Sequence, residues 1–301
     1  MKVNHNEIFK YYQKGIYPSV ERLYAIGDIH GDFNAFVSVL KKAKLINNEL
    51  NWCGGNAHVV QIGDILDRMP RGDYTTDEDS EFRIISLILK LQLESYMHDG
   101  GFHPVIGNHE MLNILGFFDY VSPMGMEHFG SKEERAKYFE IGGNFAKYLA
   151  CAWNPIIKIG DFIFCHGGLS LKIAMNYKIE DINMIMRDTL YGNKEHTYKN
   201  YFNELFLNED SILWNRMFST DLSSSKQLIA EKNLEKILEI YKAKYMVVGH
   251  TPSLDGIKTR FNKKVICIDT GMSQAFGEKK NHKERIHCME VSLLKNKITL
   301  R

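Results

Sequence analysis

Residues 23–31 read LYAIGDIHG, an apolar run that breaks abruptly into glycine, aspartate and histidine. The same grammar returns in HVVQIGD (58–64), HPVIGNHE (103–110), FIFCHGG (162–168), YMVVGHT (245–251) and VICIDTG (265–271). Short, β-branched runs ending in glycine-permitted turns are the signature of buried strands. Helical patterns lie between them, over residues 34–44, 82–97 (preceded by the capping-type pair Asp79-Ser80) and 228–242. In the last, Leu234, Ile237, Leu238 and Tyr241 follow i, i+3, i+4, i+7 spacing. Strands alternating with helices predict an α/β layer fold. Every polar tip stands at the C-terminal end of its run, the edge of an open α/β sheet where ligands bind. The strand tips are therefore expected to converge on one site.

Composition sets the outer bounds. A chain of 301 residues, 44% hydrophobic and 25% charged, can bury a large core as an ordinary globular protein. One domain spanning 1–301 is expected, without internal repeats, with insertions at about 111–145 and 171–225 shaping a substrate rim. A formal charge of +1 provides no global field for nucleic acid or an anionic membrane. No apolar run approaches the ~18 residues of a membrane span, and MKVNHNEIFKYY lacks the apolar core of a secretory signal. The default expectation is a cytoplasmic protein. Cys53, Cys151, Cys165, Cys267 and Cys288 are scattered and odd in number, which suits a reducing compartment. None forms CxxC and none has arginine six residues later, so neither a cysteine zinc site nor a thiolate phosphatase is expected. They read mainly as core. Residues 75–81 and 219–225 read as surface loops, 278–287 as a solvated turn and 288–300 as a last strand pair.

The chemistry sits on the tips. Asp28 and His30 are two apart, so an extended segment projects both to one face as a compact pair of metal ligands. Asp64, after Gly63, has two carboxylate oxygens and can bridge two cations. In Gly107-Asn108-His109-Glu110, one residue can ligate through its amide oxygen while its neighbour faces the substrate. His166 and His250 end two further strands. Taken singly, each is an ordinary structural or surface residue; five such tips on five strands indicate a metal site. Two divalent cations neutralise a phosphate ester and lower the pKa of a bridging water, and a histidine beside a carboxylate suits the protonation of the leaving oxygen. Arginines suit the remaining phosphate oxygens.

GDIHGD (27–32), GDILDR (63–68), GNHE (107–110), HGG (166–168) and GHT (249–251), in this order, resemble the calcineurin-type metallophosphoesterases, in their phosphoprotein-phosphatase branch. Residues 142–170 and ILWNR (212–216) resemble the Shewanella-like phosphatases, a bacterial-type subgroup. The resemblance runs from about residue 22 to 275. It implies two mixed β-sheets sandwiched between helices, with a dimetal site at the strand ends. By resemblance, Asp28, His30 and bridging Asp64 bind one metal, and Asp64, Asn108, His166 and His250 bind the other. His109 is then the general acid, held by Asp67, and Arg68 and Arg216 bind the substrate phosphate, attacked in line by a metal-bridging hydroxide. The metals implied are Mn, Fe or Zn. One departure stands out: the family commonly places glycine after the Asp-Arg pair, whereas Arg68 is followed by Met69-Pro70-Arg71-Gly72. Arg71 is thus a second candidate for the phosphate clamp.

The substrate expected is a phosphorylated protein (serine/threonine or tyrosine) or a small phosphate ester. The alternative is a nucleotide or dinucleoside-polyphosphate hydrolase on the same scaffold. A non-catalytic binding module would lack a ligand or the general acid, and none is missing. Glu110 reads as a support for its loop, Cys165 as a buried strand residue, and Tyr11, Tyr12 and Tyr17 as packing. His58, His98, His103 and His128 carry no motif and read as structural or exposed.

Overall fold

The computed structural model describes residues 5–71, 77–192, 199–277, 282–292 and 297–300. Its strands are β1 (Ile16–Tyr17), β2 (Arg22–Ile26), β3 (His58–Gln61), β4 (Gly101–Pro104), β5 (Ile156–Ile159), β6 (Phe162–Cys165), β7 (Tyr245–Val248), β8 (Lys258–Arg260), β9 (Val265–Cys267), β10 (Cys288–Ser292) and β11 (Lys297–Leu300). The helices are α1 (His5–Gln13), α2 (Phe33–Lys42), α3 (Glu81–Tyr96), α4 (Asn108–Ile114), α5 (Pro123–Glu127), α6 (Lys132–Phe139), α7 (Asn144–Ala152), α8 (Leu171–Asn176), α9 (Ile179–Tyr191), α10 (Lys199–Phe206) and α11 (Ser224–Ile240). One sheet has the order β1-β5-β6-β7-β9-β8, the other β11-β10-β2-β3-β4. Both are mixed: β2, β3 and β4 run parallel beside antiparallel β10, and β6, β7 and β9 run parallel between antiparallel β5 and β8.

Alternation along each strand explains the layers. Leu23, Ala25, Val60, Phe162, Phe164, Val247 and Ile266 come from both sheets and fill the space between them. Their neighbours Tyr24, Ile26, Val59, Ile163, Cys165, Met246 and Val248 face outward into a second core shared with the helices. Both faces of every central strand are buried, so the runs are apolar throughout rather than alternating. The two-sheet α/β architecture expected from the resemblance is the one observed.

Some boundaries differ from the sequence reading. α2 stops at Lys42, before Lys44 in the left-handed region (φ 58°). Ser80 stands at the N-cap of α3, yet its hydroxyl donates to the Gly31 carbonyl instead of capping the helix. The serine-rich run read as a loop supplies the first turn of α11, because buried Ala230, Leu234, Ile237 and Leu238 anchor the rest of that helix. β10 and β11 form the expected last strand pair. Residues 278–281 of the expected solvated turn lie outside the described residues, as do 75–76 of the acidic loop. No helix among the described residues is long and apolar enough to cross a membrane.

The registers bring the chemistry to one edge. Ile26 pairs with Gln61, Phe164 with Val247 and Val248 with Cys267, so the polar tips leave both sheets at the same level. The tips of the two sheets then touch: a Cβ on Gly249 would lie 2.3 Å from Asp28 Oδ1.

Candidate active site

Asp64 occupies the centre. Its Oδ1 accepts the His109 backbone N–H at 2.9 Å, while its Oδ2 lies 3.2 Å from His166 Nε2, 3.8 Å from His30 Nε2 and 3.9 Å from His109 Nε2. One carboxylate with imidazoles on both sides is placed to join two cations. Donor atoms of His30, Asp64 and His109 lie within 4.8 Å of one another, as do those of Asp64, His166 and His250, and all five residues are buried.

The backbone holds these side chains in unusual conformations. His30 (φ 41°), Asp64 (φ 53°), Asp67 (φ 70°) and His250 (φ 65°) all lie in the left-handed region. Such residues cost about 1–3 kcal/mol each and persist where the surroundings impose them, typically at functional sites. Gly107 is required for a different reason, since a Cβ there would sit 2.3 Å from Asp64 Oδ1.

Ring orientations are pre-set as well. His166 Nδ1 lies 2.9 Å from the Ile62 carbonyl and His30 Nδ1 3.2 Å from the Leu66 carbonyl. A carbonyl accepts an N–H, so His166 turns Nε2 into the cluster, the arrangement of metal-ligating histidines. His30 Nδ1 lies 3.2 Å from the Arg71 guanidinium as well, and its Nε2 faces Asp64. Asn108 presents Oδ1 2.8 Å from His166 Nε2. Asp28 Oδ2 accepts the His250 N–H at 3.0 Å, leaving Asp28 Oδ1 and His250 Nε2 buried without a hydrogen-bond partner. Buried polar atoms are nearly always paired. An orphaned carboxylate oxygen and an orphaned imidazole nitrogen at the same tips therefore fit a cation.

The electrostatics agree. Burial works to raise Asp64, but His166, His109 and His30 outweigh it and hold its carboxyl well below the usual range. Burial disfavours the His166 imidazolium, yet Asp64 and Asp28 push that ring up to about 10. His250, buried and facing His166, is held down to about 2. Burial pushes Asp28 well up, and Asp269 adds to it. A tight exchange of negative and positive groups thus fills the space where cations would replace protons.

His109 Nδ1 is 2.7 Å from Asp67 Oδ2, which leaves Nε2 facing the cleft. Asp67 is held in turn. Asn113 donates to its Oδ1 at 2.8 Å, and Arg135 donates to Asn113 Oδ1 at 2.7 and 2.9 Å. Arg135 also donates to Glu81 at 2.8 Å, and Glu81 accepts the Asp67 N–H at 2.9 Å, closing a buried ring. None of Asn113, Arg135 and Glu81 was expected. Asn113 carried a signal, being four residues beyond His109 on one helix face. Glu110 accepts the backbone N–H groups of Gly107, Asp64 and Ile65 at 2.8–2.9 Å, the loop support expected of it.

Arg68, expected to bind the substrate phosphate, is not among the residues that line the cleft. Its guanidinium is buried 3.3 Å from both Asp32 and Glu78 and donates to the Gly31 carbonyl, away from the cleft. Arg71, three residues further on, lines the cleft. Arg71 lies 3.3 Å from His109 Nε2 and packs against the rings of Tyr120 and Phe276. Arg216 is exposed at the cleft, donating to the His250 carbonyl and to Thr251, each at 2.9 Å. The cleft holds about 210 Å³, and Trp214, Tyr120, Phe276 and Asp269 complete its wall. A larger cleft of about 620 Å³, beside α8 and the end of α11, contains none of the site's residues. His58 and His103 are buried together far along the strands, His128 pairs with Asp79, and Cys165 is buried with its thiol raised.

Residues 21–254 match the profile of the Calcineurin-like phosphoesterase family. Over 258 residues the chain is 35% identical to Shewanella-like protein phosphatase 1 of Plasmodium berghei (strain Anka), covering 84% of this chain and 67% of that protein. It is 32% identical over 297 residues to Shewanella-like protein phosphatase 2 of Arabidopsis thaliana, covering 84% and 72%. In fold it resembles the cold-active protein-tyrosine phosphatase of a psychrophilic Shewanella species, with a TM-score of 0.74 at 23% identity over 95% of this chain and 79% of that one. The chain belongs to the calcineurin-like phosphoesterases, as a metallophosphoesterase hydrolase of the protein-phosphatase type.

Proposed function

We propose that the chain hydrolyses phosphate monoesters on phosphorylated proteins, with one ion held by Asp28, His30 and Asp64 and a second by Asp64, Asn108, His166 and His250. The observation that carries this reading is the position of Asp64 between two buried histidine clusters, with the His109–Asp67 pair facing the same cleft. Mn, Fe or Zn ions held by these residues would supply charge to neutralise the phosphate and would acidify a bound water. The O- and N-donor set without thiolate suits these ions. Asp67 holds the His109 ring so that Nε2 delivers a proton to the leaving oxygen. Arg71 and Arg216 bind the phosphate oxygens, and guanidinium forks do so with paired hydrogen bonds.

The cleft size bears on the substrate. About 210 Å³ falls below the ~300–1,000 Å³ of pockets that enclose a cofactor-sized ligand. That favours a phosphate with one side chain over a dinucleoside polyphosphate. Tyr120, Trp214 and Phe276 at the wall favour an aromatic side chain, hence phosphotyrosine over phosphoserine. The test is phosphate release from matched phosphotyrosine and phosphoserine peptides, with Mn²⁺ and with chelator. Chelator-sensitive release, faster from phosphotyrosine, is expected. No release from either peptide by metal-loaded protein would overturn the protein-phosphatase reading.

A further inference from the structure

Asp269 follows β9 in the VICIDTG run and lines the cleft, yet the reading above gives it no part. Its Oδ1 accepts the Gly271 N–H at 2.9 Å and its carbonyl accepts the Ser253 N–H at 2.9 Å, so the residue is fixed in place. Its Oδ2 is buried without a hydrogen-bond partner, in a residue only 1% exposed. Among the acidic and imidazole side chains of the tips, three carry such an atom: Asp28 Oδ1, His250 Nε2 and Asp269 Oδ2. The first two are ligand atoms in the dimetal reading. The third is equally buried and unpartnered and has no assignment.

Packing explains how Asp269 reaches the site. The ends of β2 and β9 belong to different sheets and meet so closely that a Cβ on Gly27 would lie 2.3 Å from the Ile268 carbonyl oxygen and 3.2 Å from Asp269 Cα. Asp28 is the residue after Gly27, and the two buried carboxylates repel each other, with Asp64 adding to the repulsion. Three carboxylates in a water-poor pocket are costly unless a cation neutralises them. The ion of Asp28, His30 and Asp64 also has three protein ligands, against four for its neighbour.

We propose that Asp269 is a further acidic member of the first ion's site, its Oδ2 holding that ion directly or through one of the ion's waters. This rests on the dimetal reading. Asp269→Asn removes the charge while its amide oxygen can keep the Gly271 bond. Asp269→Ser is a smaller, uncharged second variant. Mn²⁺ stoichiometry and affinity are measured calorimetrically on the chelator-stripped full chain, beside thermal unfolding in chelator and in saturating Mn²⁺. The wild type is expected to bind two ions. The variants are expected to bind one of them about 10–100-fold more weakly. Their unfolding midpoint in chelator should be no lower than wild type, and the rise on adding Mn²⁺ smaller. Two ions bound with wild-type affinity by either folded variant would overturn the proposal, even with a raised KM, which would place Asp269 on Arg71 instead. A wild type that binds no Mn²⁺ would overturn the dimetal reading itself.

Discussion

In the proposed reaction the leaving-group proton comes from one imidazole, His109, whose ring also stands beside His30 and Asp64. Nδ1 is committed to Asp67, so only Nε2 can deliver a proton. His109→Asn should lower kcat on a phosphoserine peptide by about 10²–10⁴-fold, the usual worth of a positioned acid. The loss on p-nitrophenyl phosphate should be far smaller, because that leaving group departs without a proton. Equal losses on both substrates would remove the role. Two arginines three residues apart make a second contrast. Arg71→Ala should cut kcat/KM by about 10–100-fold, the worth of a charge-assisted hydrogen bond, with little change in unfolding. Arg68→Ala leaves the buried Asp32 carboxylate with its two backbone N–H donors but without a counter-charge and should cost about 3–5 kcal/mol of stability in denaturant unfolding. The opposite pattern would return Arg68 to the phosphate. Here the sequence was only half legible: the motif named the arginine type, but two arginines follow Asp67 and only Arg71 of the pair lines the cleft.

At the scale of elements, three helices fix one carboxylate. α4 supplies Asn113, α6 supplies Arg135 and α3 supplies Glu81, and all three close around Asp67. Arg135 is fully buried, and the rings of Phe118, Phe129 and Phe139 pack around its guanidinium. Asn113→Ala should leave Mn²⁺ binding unchanged and lower kcat about tenfold, with the loss confined to substrates whose leaving group needs protonation. An equal loss on p-nitrophenyl phosphate would mean that Asn113 acts on stability or metal binding instead. The strand tips were readable because buried strands write their ends as abrupt changes from apolar to polar residues. The ring was not, because KEERAKYF in α6 has the composition of a solvated helix and nothing local marks Arg135 as buried. Segment 111–145, read as an insertion at the rim, delivers Asn113 and Arg135 of this brace as well as Tyr120. A charged residue that is buried only through tertiary contact leaves no periodic trace in the chain.

Across the whole molecule, continuous apolar runs announced that both faces of each strand are buried, but not which strands share a sheet. That division depends on long-range pairing, such as β10 with β2, for which no local pattern exists. The same packing buries His58 and His103 side by side on β3 and β4, with Nδ1 of one 2.9 Å from Nε2 of the other and their rings stacked at 15°. Tyr17 packs against His103 with ring centroids 4.4 Å apart. Burial holds His58 down to about 4 and His103 well below its ordinary value, where the neighbouring His58 adds to the effect. Both therefore fold in the neutral form, whereas an unfolded histidine titrates near 6.5. Between those values the unfolded chain binds more protons, so stability must rise with pH there and fall as pH is lowered from about 6.5 through 4. Other buried histidines contribute to that slope, so a comparison isolates this pair. In chelator, His58→Gln keeps a donor and an acceptor facing His103 and removes one titrating ring. Its stability should fall less steeply than that of the wild type over this window, by about one proton in the linkage slope. Parallel curves for the two proteins, measured by denaturant unfolding at each pH, would show that the pair does not carry the acid sensitivity of the fold.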